Sequence, residues 1–453
     1  MLATAAILTR ILNTPSIGSQ GINVRRTDTI IRAYVDKRQF SGAVLIARKG
    51  KTVFQGAYGM ANWDLRIPNA LTTKFRLGSL TKQFTAASVL LLEERGKVGL
   101  DDSILKYFPE APTAWSAITV RHLLHHESGI PDIANLPTYP MFKRQLHSKA
   151  ELLERFSSLP LKFDPGTQHR YSNSGYIVLG QLIERVSGQS YEDFLQENIF
   201  KVAGMNDSGL DSTVTIVRNR ASGYEDSKSG LKPATYVDMS VPGGAGGLYS
   251  TVNDLLKWQL AFFGKKIVSP ESYQKMVAPL DGIKPSSTGI GMGLAIEDFS
   301  GRKQIFFGGG IEGFNSLLTY DPEDETVIVA LSNVNTGWID VMGGQLSAVS
   351  RGEKVVLTSE RVEIKLEEKE KRKYVGAYAI SDSTDLNIGF DAGNLYVQVA
   401  GQDRFTLYPE AKNRFFLRAL DAQAEFVQNK DGSYDLLWHQ GGSTVRGKKK
   451  SMP

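Results

Sequence analysis

Strand-like segments stand at both ends of a long stretch that reads as helices and loops, and any fold must bring those ends together. Near the N-terminal end, GAVLIAR (42–48), a Lys-Gly-Lys turn at 49–51 and TVFQGAYG read as two antiparallel strands. The warrant is that apolar and β-branched residues flank a glycine turn. After residue 304 the pattern returns: QIFF, a glycine cluster, FNSLLTY, a DPEDE turn and TVIVALSN. A helix signal at 23–35 precedes the first hairpin, and three more lie between the strand clusters. The first of these, 79 to about 95, is long and apolar and closes at Gly96; the second, 174–187, ends at Gly188; the third runs from Thr251 to Gly264. This order predicts an α+β domain, an α/β sandwich whose sheet joins both ends.

A chain of 453 residues is long enough for a second domain. Residues 361–373 (RVEIKLEEKEKRK) are dense in mixed charge, as in a connector or an exposed helix. From Tyr374 onward, short segments such as YVGAYAI, NLYVQVA and YDLLWHQ alternate with turn residues at a spacing of roughly ten, which reads as a small antiparallel barrel or sandwich. The expected layout is a leader or frayed terminus at 1–22, a main domain at 23–355, a connector at 356–373 and a β-domain at 374–453.

Composition narrows the chemistry. Basic residues number 53 against 48 acidic, a net charge of +5 that marks an ordinary solvated surface and predicts no nucleic-acid partner. The absence of cysteine rules out a disulfide scaffold, a thiol nucleophile and thiolate metal sites. No stretch approaches the ~18–20 apolar residues of a membrane-spanning helix. An apolar run from Leu2 to Leu8 has no basic residue before it; it reads as the tail of an export signal or as a frayed leader. Export to the periplasm or beyond is the expectation, and a cytoplasmic site the alternative if this N-terminus is native.

G-x-S-x-G, the P-loop and the dinucleotide fingerprint are all missing. The histidine run His122-Leu-Leu-His-His126-Glu127 matches neither H-E-x-x-H nor H-x-x-E-H, so its members are expected to be buried or capping, with no metal and no cofactor.

The positive signal is FRLGSLTKQFTAASVLLLEERG, in which Ser79 and Lys82 stand three apart where an apolar helix begins. That spacing puts both side chains on one face of the first turn. A serine hydroxyl needs a neighbouring base, and a lysine can serve once desolvation lowers its pKa. The bare pattern is common, with five S-x-x-K matches at Ser79, Ser103, Ser229, Ser272 and Ser300, but only the first precedes a long apolar helix. The second signal is Tyr171-Ser172-Asn173, the only Y-x-N among seventeen tyrosines, on a turn-rich run before the helix at 174. Its phenol can relay a proton if an ammonium lies near; alternatively Tyr171 packs and Asn173 caps the helix.

Together these segments resemble the serine β-lactamase and penicillin-binding-protein superfamily, in its class C-like branch. The resemblance covers about residues 25–345 and also includes ITVRHLLHHESGIPD (118–132), FDPGTQHRYSNSGYIVLGQLIE (163–184) and GGAGGLYSTVNDLLKW (243–258). It implies a transpeptidase-like fold with an antiparallel central sheet and a helical subdomain. It further implies an acylated Ser79, proton transfer shared by Lys82 and Tyr171, and Asn173 as a polar contact to substrate or to the lysine. Where relatives place Lys-Thr-Gly or His-x-Gly on an inner strand, this chain has FGGGIEGF (307–314), so Phe307 stands where a cation or imidazole is usual. The glycines, Gly309 among them, suit a strand edge that comes close to substrate. By the family's geometry the oxyanion hole would be formed by the N–H groups of Ser79 and Gly310. The C-terminal β-domain resembles the small lipocalin-like domain appended to some peptidase-like members.

The implied function is a serine hydrolase working through an acyl-enzyme on a small ester, D-amino-acid or peptide substrate, with homo-oligomerisation open. Phe307 favours an ester and the β-domain a peptidase. The alternative is a catalytically weak, penicillin-binding-like sensor.

Overall fold

The computed structural model describes residues 22–279, 288–299, 302–381, 384–419, 421–440 and 443–450; the apolar run Leu2–Leu8 lies outside them. Its described residues divide into two units, one of residues 22–24 and 34–339 and one of residues 25–33 and 340–450.

The first unit is built on a seven-stranded antiparallel sheet. Its strands are β1 (Gly42–Arg48), β2 (Lys51–Tyr58), β3 (Thr288–Ile290), β4 (Ala295–Phe299), β5 (Arg302–Ile311), β6 (Phe314–Asp321) and β7 (Thr326–Ser332). The order across the sheet is β3-β4-β5-β6-β7-β1-β2. The strand nearest the N-terminus therefore pairs with the last, Val44 opposite Ala330, and the sheet joins both ends as the sequence pattern predicts. GAVLIAR and TVIVALS are continuous apolar runs rather than alternating ones, and both strands are buried along nearly their whole length, as central strands covered on two faces must be.

The helices fall close to the ranges the sequence predicts: α1 (Val24–Asp36), α2 (Thr81–Glu94), α3 (Asn173–Ser187) and α4 (Val252–Phe263). Thr251 caps α4 by accepting from the Asp254 N–H at 3.2 Å, and Gly188 ends α3 in the left-handed conformation. Every residue of α2 from Thr81 to Leu92 is buried, so this helix is covered on all sides and sits in the core. Trp258 of α4 donates its indole N–H to Gln83 of α2 at 3.0 Å, which satisfies two polar groups inside that core.

The second unit carries a closed antiparallel barrel of eight strands from Gly376–Ser381 to Ser443–Lys449, the first and last pairing Tyr378 with Lys449. Tyr378, Leu395, Leu407, Phe415, Phe426 and Leu436 fill its interior. Between the barrel and the sandwich left open by the spacing of its strands, the structure gives the barrel. Among the described residues no helix is long and apolar enough to cross a membrane.

Candidate active site

The turn that presents Ser79 is fixed from three directions. The short strand Phe75–Arg76 pairs with Leu248–Ser250, and Leu77 N–H donates to Leu248 O at 2.8 Å. Arg76 is held by the buried Asp211 carboxylate at 2.6 Å, which also bonds Arg220. Gly78 then turns in the left-handed region at φ +54°, where a β-carbon would also stand 2.7 Å from Gly310 O. A β-carbon at Gly309 would lie 2.0 Å from Leu77 O and 2.9 Å from Leu80 N. These two glycines let the edge of β5 meet the serine turn backbone to backbone.

One face of α2 holds the GGAGG segment. Lys82 Nζ donates to Ala245 O at 2.7 Å, Thr85 donates to Gly244 O at 2.6 Å, and Thr81 Oγ1 accepts from Leu248 N–H at 3.2 Å. On the far side of that segment Gly244 packs on α3, with room for no side chain: a β-carbon would sit 2.7 Å from Tyr176 O.

Lys82 is wholly buried. Its Nζ lies 3.2 Å from Ser79 Oγ and 2.9 Å from Asn173 Oδ1. Burial pushes its ammonium down to about 7, against the opposing pull of the Asp132 carboxylate. Tyr171 lies on the loop before α3 and donates its hydroxyl to Ser79 Oγ at 2.6 Å. The residue is 44% exposed, yet burial of the hydroxyl end pushes the phenol up to about 12, partly offset by the bond to Ser79. The structure thus brings Ser79, Lys82, Tyr171 and Asn173 together. The cap of α3 is Ser172, whose Oγ accepts from Gly175 N–H at 3.3 Å, which leaves the Asn173 side chain to Lys82.

The histidine run serves the architecture. His122 Nδ1 accepts from Thr119 N–H in a capping box. His126 is buried, accepts from Ser172 N–H at 3.1 Å and lies with its ring 4.6 Å from that of Tyr171. Burial holds its imidazole well below its ordinary range, so it stays neutral.

A cavity of about 230 Å³ opens beside Ser79, lined by Asn173, Tyr139, Ala245, Gly310 and Glu312 among others. Ser79 and Gly310 both border it. Phe307 does not; it is half-buried and packs against the main core. Sequence reasoning missed three contributors. Asp132 accepts from Asn173 N–H and Nδ2, both at 3.2 Å, and so holds the asparagine that faces Lys82. Ala245 acts through its carbonyl, and Glu312 brings a charge to the cavity wall. Asp132 closes the SGIPD run, and that position was its only signal.

The Beta-lactamase family model matches residues 27–346. A penicillin-binding protein of Bacillus subtilis (strain 168) is 27% identical over 449 residues, 92% of this chain and 97% of that protein. Among solved structures, the octameric penicillin-binding protein homologue from Pyrococcus abyssi is 26% identical with a TM-score of 0.68, covering 94% of this chain and all of that one. The D-amino acid amidase from Ochrobactrum anthropi SV3 is 27% identical with a TM-score of 0.59, over 69% of this chain and 93% of that one. With that match over most of its length, the chain belongs to the beta-lactamase family of serine hydrolases and penicillin-binding proteins.

Proposed function

We propose that this protein is a serine hydrolase that forms an acyl-enzyme on Ser79 and cleaves small amide or ester substrates of the D-amino-acid or carboxylester kind. The observation that carries the reading is the pair of bonds converging on Ser79 Oγ, from Tyr171 at 2.6 Å and from a fully buried Lys82 at 3.2 Å.

The protonation states follow from the burial of the two groups. A lysine held at about 7 is partly neutral near neutral pH, so its lone pair can take the serine proton as Ser79 Oγ attacks a carbonyl carbon. Tyr171, raised to about 12, remains a phenol and can pass a proton to the leaving amine or alcohol. The N–H groups of Ser79 and Gly310 would stabilise the oxyanion, and the same groups, reversed, would activate water to release the acid. The resemblance to a D-amino acid amidase supports an amide as well as an ester, and the octameric relative supports self-association.

The test is steady-state hydrolysis of p-nitrophenyl butyrate, D-alanine p-nitroanilide and a chromogenic cephalosporin by wild type and Ser79→Ala. Ser79-dependent turnover of any of them supports the reading. If the variant keeps more than about a tenth of the wild-type rate, Ser79 is not the nucleophile. A fluorophosphonate adduct on Ser79 without turnover would point instead to a sensor.

A further inference from the structure

The wall of the cavity beside Ser79 carries a negative charge. Among the described residues that line it, Glu312 alone carries a formal charge. Glu312 and Gly313 form the two-residue turn between β5 and β6, two residues beyond Gly310. That turn is clamped: Gly313 sits at φ +77°, and a β-carbon there would fall 2.5 Å from Gly223 Cα and 2.7 Å from Ala234 Cβ. The carboxylate is therefore carried on fixed backbone.

Lys143 pairs with the Oε1 atom of Glu312. Its ammonium stands 5.6 Å from the Tyr139 ring centre, and Lys143 is not among the lining residues. Among the described residues Oε2 has no hydrogen-bond donor. Asp132, which bonds Asn173 at the same cavity, adds a second negative charge nearby. Both carboxylates act on the Tyr139 hydroxyl, which burial and their charge together push upward. On the sheet side, Phe307 offers no cation to a substrate carboxylate.

We infer that Glu312 is the anchor for a substrate ammonium group, so that this site takes acyl groups bearing a free amine, such as amino-acid amides, rather than substrates with a free carboxylate. The inference rests on the Ser79 hydrolase reading and adds its substrate class. A carboxylate and an ammonium in a partly enclosed site attract well beyond the value in water, whereas a substrate carboxylate would meet Glu312 and Asp132 as like charges. The Lys143 pair neutralises part of the field, so the effect is tens-fold rather than thousands-fold.

The experiment compares D-alanine p-nitroanilide, its N-acetyl derivative and p-nitrophenyl butyrate on wild type and Glu312→Gln. Wild type should favour the free amine over the N-acetyl compound by about tenfold or more in kcat/KM, and the variant should erase that preference, mainly through KM. Butyrate, which has no ammonium to lose, should fall by a clearly smaller factor in Glu312→Gln than D-alanine p-nitroanilide does. Equal handling of free and acetylated amines by wild type overturns the inference, and this arm needs no variant to fold. A uniform loss on all three substrates in Glu312→Gln also overturns it, as a structural role. Ser79-dependent butyrate turnover shows that the hydrolase reading stands even then, while loss of all Ser79-dependent turnover takes both down.

Discussion

The Nζ of Lys82 lies closer to Oδ1 of Asn173, at 2.9 Å, than to Oγ of Ser79, at 3.2 Å. Asn173 is itself held by Asp132 through its N–H and Nδ2. A chain of polar contacts thus runs from a carboxylate, through an asparagine and a lysine, to the serine. Its acceptors stabilise the ammonium, while burial opposes it and prevails. The balance leaves the lysine poised between its two forms rather than locked in either.

The first prediction is a pH profile. If neutral Lys82 is the base, kcat/KM rises with pH through a limb near 7, because below that value the ammonium has no lone pair to offer. Asp132→Asn removes a charge that favours the ammonium, so the limb should move to lower pH. Asn173→Asp adds such a charge, and the limb should move higher. Rates on p-nitrophenyl butyrate from pH 5 to 9 read both shifts. His126 does not supply this limb, since burial keeps it neutral well below its ordinary range. A limb that ignores both substitutions would remove Lys82 from the role of base.

Tyr171→Phe should retain the fold, since the ring and its neighbour His126 stay in place. It should lower kcat by about a hundredfold or more, the usual range for a positioned acid–base group. Ser79→Ala should cost about a thousandfold or more, roughly 4 kcal/mol of transition-state stabilisation. The double variant should be scarcely slower than Ser79→Ala alone, because groups acting on one proton path lose their effect together. Additive losses would mean that Tyr171 acts elsewhere.

Much of the fold and of the site is legible in the sequence. The two strand clusters declared themselves as continuous apolar runs, and the serine motif stood out because only one of its five occurrences opens a buried helix. Tyr171 and Asn173 were legible because side chains do their work. Ala245 was not, since its carbonyl, common to every residue, is what Lys82 touches; only the surrounding glycines signal the close approach. Asp132 acts across a sequence distance of 41 residues, which spacing cannot reveal. Phe307 marked a departure from the family, but that alone did not place its side chain in the core, nor bring Glu312 to the cavity wall.

The contact between β5 and the serine turn gives a steric prediction. Gly309→Ala should separate the two backbones, since its methyl would meet Leu77 O at 2.0 Å. Overpacking of that kind costs about 1–3 kcal/mol and would move Gly310 away from Ser79. Gly310→Ala meets nothing closer than Asn315 Nδ2 at 3.5 Å and should leave the melting temperature near wild type. Thermal melts of both variants beside wild type test the contrast, and equal stability would mean that the strand yields freely.

The buried carboxylate behind the nucleophile turn carries the last prediction. Asp211 has no exposed side-chain surface, and it bonds Arg76 and Arg220. Asp211→Asn leaves two guanidinium groups facing each other without their counter-charge. Breaking a buried pair costs about 3–5 kcal/mol; the lower end applies because the arginines keep 14% and 28% of their side-chain surface in solvent. Arg76 stands three residues before Ser79, so the loss should reach catalysis too. We expect a lowered urea midpoint together with a fall in kcat on butyrate ester larger than the rise in KM, because the serine is misplaced while the cavity wall stays intact. A variant with the wild-type midpoint would show that Arg76 and Arg220 find water in place of Asp211, and that strand pairing with Leu248–Ser250 alone holds the turn.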